Sequence, residues 1–276
     1  KICFNQPPIM KKRYSILIFC ALLVACNGNI ANLRPHGSQT DTPELTRNNY
    51  LIGFLNEYRS SYDVTYYDIN IDFDIEQKSI DGFVTIKAMA LNDIDTLQVD
   101  LAKNLNIKKI IYQDSPVEYS REEDAVMVAF NQTIDKDTLF DFTVHYNGTP
   151  QSADNPPWAG GFTWSKDKND RDWIAVSCEG EGARIWWPNK DHITEEPDSV
   201  RMAFTVPSNL VSVGNGQLRS VVEKDNDKTT YDWFVNNPIN NYNISVQIGN
   251  YVTVQDTFIK GDTTHYMNHY VLDYNE

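Results

Sequence analysis

The sequence predicts an all-β fold, a sandwich of many short, mostly antiparallel strands. Three observations carry that expectation. Apolar residues recur with a period of two, as in Ile69, Ile71, Phe73 and Ile75 set between Asn70, Asp72 and Asp74. A strand with one buried face reads this way. Such segments are short and separated by turn-forming residues. No repeat of solenoid or propeller type is present, which leaves a sandwich.

The elements follow in chain order. Residues 1–9 precede Met10 and read as upstream translated sequence. Residues 10–25 form a signal: Lys11, Lys12 and Arg13 lead into the apolar run 16–25, which is too short to span a bilayer comfortably. The run ends Leu23-Val24-Ala25-Cys26 and resembles a bacterial lipobox, with Cys26 as the lipidated residue. Residues 26–57 then comprise the lipidated cysteine, a polar tether and a short helix. Asp41-Thr42-Pro43-Glu44 caps that helix, and Leu45, Leu51, Ile52, Leu55 and Tyr58 give it helical spacing through about Tyr58. Gly53 weighs against it.

From Tyr62 the period becomes two. The strand holding Ile69 to Ile75 is followed by the turn Glu76-Gln77-Lys78-Ser79 and a second strand over 80–91. Phe140, Phe142, Val144 and Tyr146 alternate with Asp141, Thr143 and His145 and end in the turn Asn147-Gly148. Met202, Phe204 and Val206 repeat the pattern, as do Tyr231, Trp233 and Val235. Shorter strands are expected at 96–101, 107–112, 125–130, 173–178, 217–223, 243–248 and 251–257. Segment 150–172 breaks the rhythm. Pro156-Pro157 and Gly160-Gly161 rule out a regular strand through that point. Its aromatics Trp158, Phe162 and Trp164 mark it as a packed loop of the kind that often carries function.

The chain has 276 residues with 41% hydrophobic and 22% charged content, enough for a sizeable core. Its formal net charge of −14 repels nucleic acid and anionic lipid and suits cationic ligands. Cys3 and Cys20 leave with the signal and Cys26 is acylated. Cys178 alone remains a thiol, so no disulfide framework is expected.

Zinc motifs are absent from the sequence. None of the five histidines is followed by Glu, so there is no H-E-x-x-H. His265 and His269 have i,i+4 spacing, but the β-branched and aromatic segment around them reads as a strand. At about 3.3 Å per residue their rings stand roughly 13 Å apart, too far for one ion. No G-x-S-x-G and no glycine-rich phosphate loop is present. Cys178 reads as a small buried thiol at a strand end rather than a nucleophile. Glu179 and Glu181 flank Gly180, with Gly182 following, in a turn where carboxylate and backbone approach a ligand closely. They are either solvated acids or a binding pair. Arg184 either serves that site or pairs with a local carboxylate such as Asp191, holding Trp186-Trp187-Pro188.

The stretch "GGFTWSKDKN…WIAVSCEGEGARIWWPNKD" resembles the N-terminal domain of the aminopeptidase N family of gluzincin zinc metallopeptidases. "YRSSYDVTYYDINIDFDIEQKSIDGFVTIKA" resembles that domain's opening strands, and "YNISVQIGNY" its late strand. The likeness covers about Tyr58 to Glu276. Its most specific block is Glu179, Arg184, Trp187-Pro188 and Asp191. The family often has Pro two residues after that Asp, where this chain has Ile193.

The resemblance implies a β-rich, saddle-like domain over 58–255, with 256–276 starting the link to a catalytic domain. It implies that Glu179 grips the free α-amine of a peptide substrate, with Glu181 as the runner-up. It also implies zinc in the complete enzyme, whose G-x-M-E-N strand, H-E-x-x-H site and catalytic tyrosine are not in this chain. The expected protein is therefore the N-terminal piece of a lipid-anchored, extracytoplasmic aminopeptidase, inactive by itself and without metal. Its expected partners are peptide N-termini, its own catalytic domain and, through Cys26, a membrane; nucleic acid is excluded. The rival expectation is a non-enzymatic lipoprotein module that stacks a glycan on Trp158, Phe162 and Trp164, or binds a protein.

Overall fold

The computed structural model describes residues 44–276. The signal, Cys26 and the tether as far as residue 43 lie outside the described residues. Leu45–Glu276 form one compact unit.

The single helix expected from the 41–44 cap to Tyr58 is instead two short ones. Helix α1 (Arg47–Gly53) starts at a capping box in which Thr46 and Asn49 bond each other's backbone. The chain turns extended at Phe54, immediately after Gly53, which ends that helix. A single turn, α2 (Glu57–Ser60), is capped by the Asn56 side chain on Arg59 N at 3.0 Å. Arg59 is fully buried beneath both helices. Its guanidinium donates to the carbonyls of Ile52 (2.5 Å) and Phe54 (2.9 Å), to Asp100 Oδ2 (2.6 Å) and to the Asp191 carbonyl (2.6 Å). Both helices are thereby tied to the β core.

Sixteen strands follow. The large sheet contains β1 (Tyr62–Asp74), β2 (Ser79–Ala90), β3 (Ile94–Asp100), β4 (Leu105–Tyr112), β5 (Ser115–Glu122), β6 (Ala125–Ile134), β7 (Leu139–Gly148), β10 (Ser199–Pro207), β12 (Gln217–Lys224) and β13 (Lys228–Val235). Their spatial order is β12-β13-β10-β1-β2-β7-β4-β5-β6-β3. Strands β1 and β10 run parallel, with Tyr66 opposite Ser199 through Asp72 opposite Thr205. The other pairings in this sheet are antiparallel. A second sheet, ordered β11-β14-β9-β8, joins β8 (Gly161–Lys166), β9 (Asp172–Ser177), β11 (Val211–Gly214) and β14 (Val246–Gly249). A hairpin of β15 (Tyr251–Lys260) and β16 (Thr263–Leu272) stands apart from both.

The alternating residues do what their period requires. Ile69, Ile71, Phe73, Phe142, Val144, Tyr146, Met202, Phe204 and Val206 are buried. Their outward neighbours form polar rungs, including Thr85–Thr143 at 2.8 Å and Arg201 between Asp68 (2.7 Å) and Asp232 (2.8 Å). Between the two sheets lies an aromatic cluster. Trp186 meets Phe162 at 5.9 Å and Phe204 at 6.0 Å, and Phe73 meets both Phe204 and Phe162 at 5.9 and 6.3 Å. Because Phe162 belongs to β8 and Phe73 and Phe204 to β1 and β10, this cluster seals the sandwich.

Three further expectations need correction. Part of the loop expected over 150–172 is strand: β8 starts at Gly161, the second of the paired glycines, and pairs with β9 through Lys166 opposite Asp172. The strand expected over 243–248 begins only at Val246, because Asn241–Asn243 close a tight 3-10 turn. The turn expected at Asn147-Gly148 is still part of β7, paired with β2 and β4 on either side.

Candidate functional site

Strand β9 ends at Ser177, and the chain then folds over itself. The amides of Glu181 and Gly182 both donate to the Cys178 carbonyl, at 3.1 and 2.8 Å. Gly180 and Gly182 take φ values of 81° and 90°, a region that favours glycine. At Gly182 space matters as well, since a Cβ there would run into the Asp191 carboxylate and the Arg184 guanidinium. A single 3-10 turn (Ala183–Ile185) leads on to Trp186, Trp187 and Pro188, all buried.

Asp191 holds this turn from beneath. Its carboxylate accepts from the amides of Ala183 (3.2 Å) and Arg184 (3.4 Å) and from Arg184 Nη1 (3.0 Å). Arg184 also donates Nε to Asp124 Oδ2 at 3.0 Å and Nη1 to the Glu181 carbonyl. Burial works against the Arg184 charge, but Asp191 and Asp124 outweigh it and raise its pKa. Burial likewise acts to raise Asp124, yet hydrogen bonds from Asn48, Arg184 and the Lys103 amide hold its carboxyl below the usual range. Arg184 is thus spent on structure, and Trp187, Pro188 and Asp191 form the frame around it. Ile193, where a proline is frequent in the family it resembles, sits exposed in a turn closed by His192 N to Lys190 O (2.9 Å) and Glu195 N to His192 O (3.0 Å).

Deeper still lies a second layer of ion pairs. Arg59 and Asp100 have no exposed surface. Asp100 Oδ2 also accepts the Asp191 amide at 3.0 Å, so Arg59, Asp100 and Asp191 form one chain of contacts below the turn. Lys190 pairs with Glu195 at 2.6 Å, and Asn241 donates to the Lys190 carbonyl at 2.8 Å. Burial pushes the Asp100 carboxyl up to about 6, although Arg59 pulls it down. Because this folded-state value lies above the ordinary 3.8, the contribution of Asp100 to stability is full below about pH 4 and is lost as pH rises through about 6. Asp100→Asn is expected to remove that slope. Urea melts from pH 4 to 8 would show the gap between variant and parent changing across pH 4–6 and constant above about 7; a gap constant throughout would refute the assignment.

Glu179 and Glu181 differ from these tied charges. Glu179 is exposed and Glu181 half-buried, and neither carboxylate makes a hydrogen bond or ion pair among the described residues. Both line an open cleft of about 420 Å³ with Gly180, His192, Asn241 and Tyr242 on its walls. With Arg184 neutralised by two aspartates, the cleft presents uncompensated negative charge and suits a cation.

The other candidates are placed as follows. Cys178 is buried at the end of β9, and burial pushes its thiol up to about 12, so no thiolate is available for attack. His265 and His269 lie on β16, exposed and on one face. At about 3.3 Å per residue they are too far apart to share a zinc ion, and among the described residues no group of three or more His, Cys, Asp or Glu is placed to hold a metal. Among the described residues, then, no donor set fits zinc. The three loop aromatics do not form one platform: Phe162 is core, Trp164 stacks on it at 5.1 Å, and Trp158 projects at 79% exposure.

Sequence reasoning missed Arg59, Asp100, Lys190, Glu195 and Asn241. Lys190 adjoins the recognised Asp191, which was the available clue; Arg59 offered none.

With this geometry in view, comparison with known proteins gives three findings. The family described as Peptidase M1 N-terminal domain matches residues 63–242. No curated relative matches. Solved structures match in fold: an M1 zinc metallopeptidase from Deinococcus radiodurans (18% identity, 75% of this chain and 47% of that chain, TM-score 0.65), and a mutant of it bound to a Tyr-Ser-Ala substrate (18% identity, 77% and 48%, TM-score 0.66). A mutant of a two-domain M1 zinc metallopeptidase bound to L-arginine also matches (18% identity, 77% and 48%, TM-score 0.67). The chain spans about half the length of these structures.

Proposed function

Because the chain belongs to the Peptidase M1 N-terminal domain family, we propose that it is the amine-anchoring part of a zinc-dependent aminopeptidase. The observation that carries this is Glu179: a free, exposed carboxylate on a turn pinned by Asp191 and Arg184, facing the open cleft. A carboxylate so placed makes a charge-assisted hydrogen bond to the ammonium of a peptide N-terminus. Holding that end fixes which peptide bond is presented for cleavage, so residues are removed one at a time. Glu181, half-buried on the same cleft wall, is the secondary acceptor. Zinc belongs to the second domain of such an enzyme, and the work of this chain is to bind and orient. The Leu23 to Cys26 motif supports a lipid-anchored, extracytoplasmic setting.

In the polypeptide extended through its second domain, Glu179→Ala is expected to lower kcat/KM about 10- to 100-fold on free-amine peptides, chiefly through KM. That matches the roughly 1.5–3 kcal/mol of a hydrogen bond to a charged group. Glu179→Gln should retain more, since an acceptor oxygen remains. Unchanged kinetics in Glu179→Ala would sink the amine-anchor role.

A further inference from the structure

We propose that Ile193 and Tyr242 form an apolar wall that selects peptides whose first residue carries an apolar side chain, an inference that rests on the reading of the Glu179 cleft as the seat of the peptide amine. Three turns build that cleft. The first, 178–182, brings the two free carboxylates. The second, 190–195, brings His192 and Ile193. The third is the 3-10 turn Asn241–Asn243, which brings Tyr242.

The backbone imposes their exposure. Ile193 is 76% exposed and Tyr242 42%. Asn241 is buried, and its side-chain amide donates to Asn189 Oδ1 (3.1 Å) and to the Lys190 carbonyl (2.8 Å). Ile244 is core. With Asn241 and Ile244 held inward, Tyr242 is turned out. Ile193 is held out in the same way, because Lys190 and Glu195 on either side of it are locked together in the interior at 2.6 Å. Apolar residues scattered singly over a surface need no explanation. Two held outward by fixed backbone onto one ligand-sized cleft do.

Charge and position choose the side chain. Glu179 takes the ammonium group in this reading. Glu181 lies back against Gly160, where an added Cβ would meet the Glu181 Cγ at 2.5 Å. Burial, then the Arg59 and Lys190 charges, lower the His192 pKa, so its ring is neutral at pH 7. Past the amine the cleft therefore offers Ile193, the His192 ring and Tyr242, a surface that rewards apolar contact. It offers no free cation to an acidic side chain, because Arg184 is spent on Asp124 and Asp191.

Kinetics of the polypeptide extended through its second domain test this, with leucyl-, glycyl- and lysyl-p-nitroanilide as substrates. The unmodified protein should favour the leucyl substrate over the other two by at least about 10-fold in kcat/KM. The double variant Ile193→Ser/Tyr242→Ser should lower the leucyl-to-glycyl ratio about 10-fold. Ile193→Val/Tyr242→Phe should keep that ratio, because the apolar wall remains. Glu179→Ala should instead slow leucyl and glycyl substrates alike. A preference for the lysyl substrate, an unchanged ratio in the serine variant, or a fall there shared equally by leucyl and glycyl substrates would each overturn the proposal. A lowered ratio in the serine variant with silent Glu179→Ala kinetics overturns the amine anchor alone; an unchanged ratio with impaired Glu179→Ala kinetics overturns the apolar wall alone.

Discussion

Arg59→Leu is expected to destabilise the fold by about 3–5 kcal/mol, the cost of breaking a buried ion pair by removing one partner. That is a large part of the stability of an ordinary domain, about 5–15 kcal/mol. Two losses combine. Asp100, with no exposed surface, is left as an uncompensated carboxylate. The carbonyls of Ile52, Phe54 and Asp191 also lose their donor. Urea unfolding at pH 8 measures the effect, and a change under about 1 kcal/mol would refute the account. The loss should be smaller at pH 5, because without Arg59 the Asp100 carboxyl protonates more readily. Arg59→Leu/Asp100→Leu should recover a good part of the stability, since an apolar pair carries no desolvation penalty. Recovery will be incomplete, because the three carbonyls remain unpaired.

Trp186→Ala should cost a similar amount, about 3–5 kcal/mol for a truncated core aromatic. Trp186 has no exposed surface and lies between Phe162 and Phe204, one from each sheet. Its removal opens a void where the sandwich is sealed. The 178–182 turn lies just upstream, so its amides should exchange faster as the frame loosens. Trp186→Phe should fall between the two, as a ring still bridges the sheets. The midpoint of chemical unfolding and near-ultraviolet circular dichroism check both variants; a wild-type midpoint in Trp186→Ala would sink the sealing role.

The strands with one buried face were legible because their period is a direct image of the pleat. Ile69, Ile71 and Phe73 could face inward together only in an extended chain, and they do. Strand β5 was missed because Ser115–Glu122 buries only Val117 and has no apolar alternation to read. Strand β8 was hidden by the glycines and prolines before it, and its burial of Phe162 depends on Phe73 and Trp186, which are remote in sequence. At four residues, β11 is too short to show a period.

The site divides along the same line. Local features of the 178–191 block were legible: the glycine turn, the paired tryptophans, and Asp191 as the partner of Arg184. The support beneath it was not. Arg59, Asp100 and Asp191 come from three distant parts of the chain, and a buried arginine looks in sequence like any solvated one. Only the folded arrangement makes it a hub.

The parallel pairing of β1 with β10 sets how late the centre of the large sheet can close. Strand β1 forms its antiparallel ladder with β2 as soon as both have been made, but its other edge waits for residues 199–207. Everything from β2 to the Trp186-Trp187 corner must be synthesised first. Such long-range closure is slow, because chain entropy is surrendered before the contacts form. During translation the nascent polypeptide therefore carries an open β1 edge until β10 leaves the ribosome, and that interval is when chaperone protection matters most.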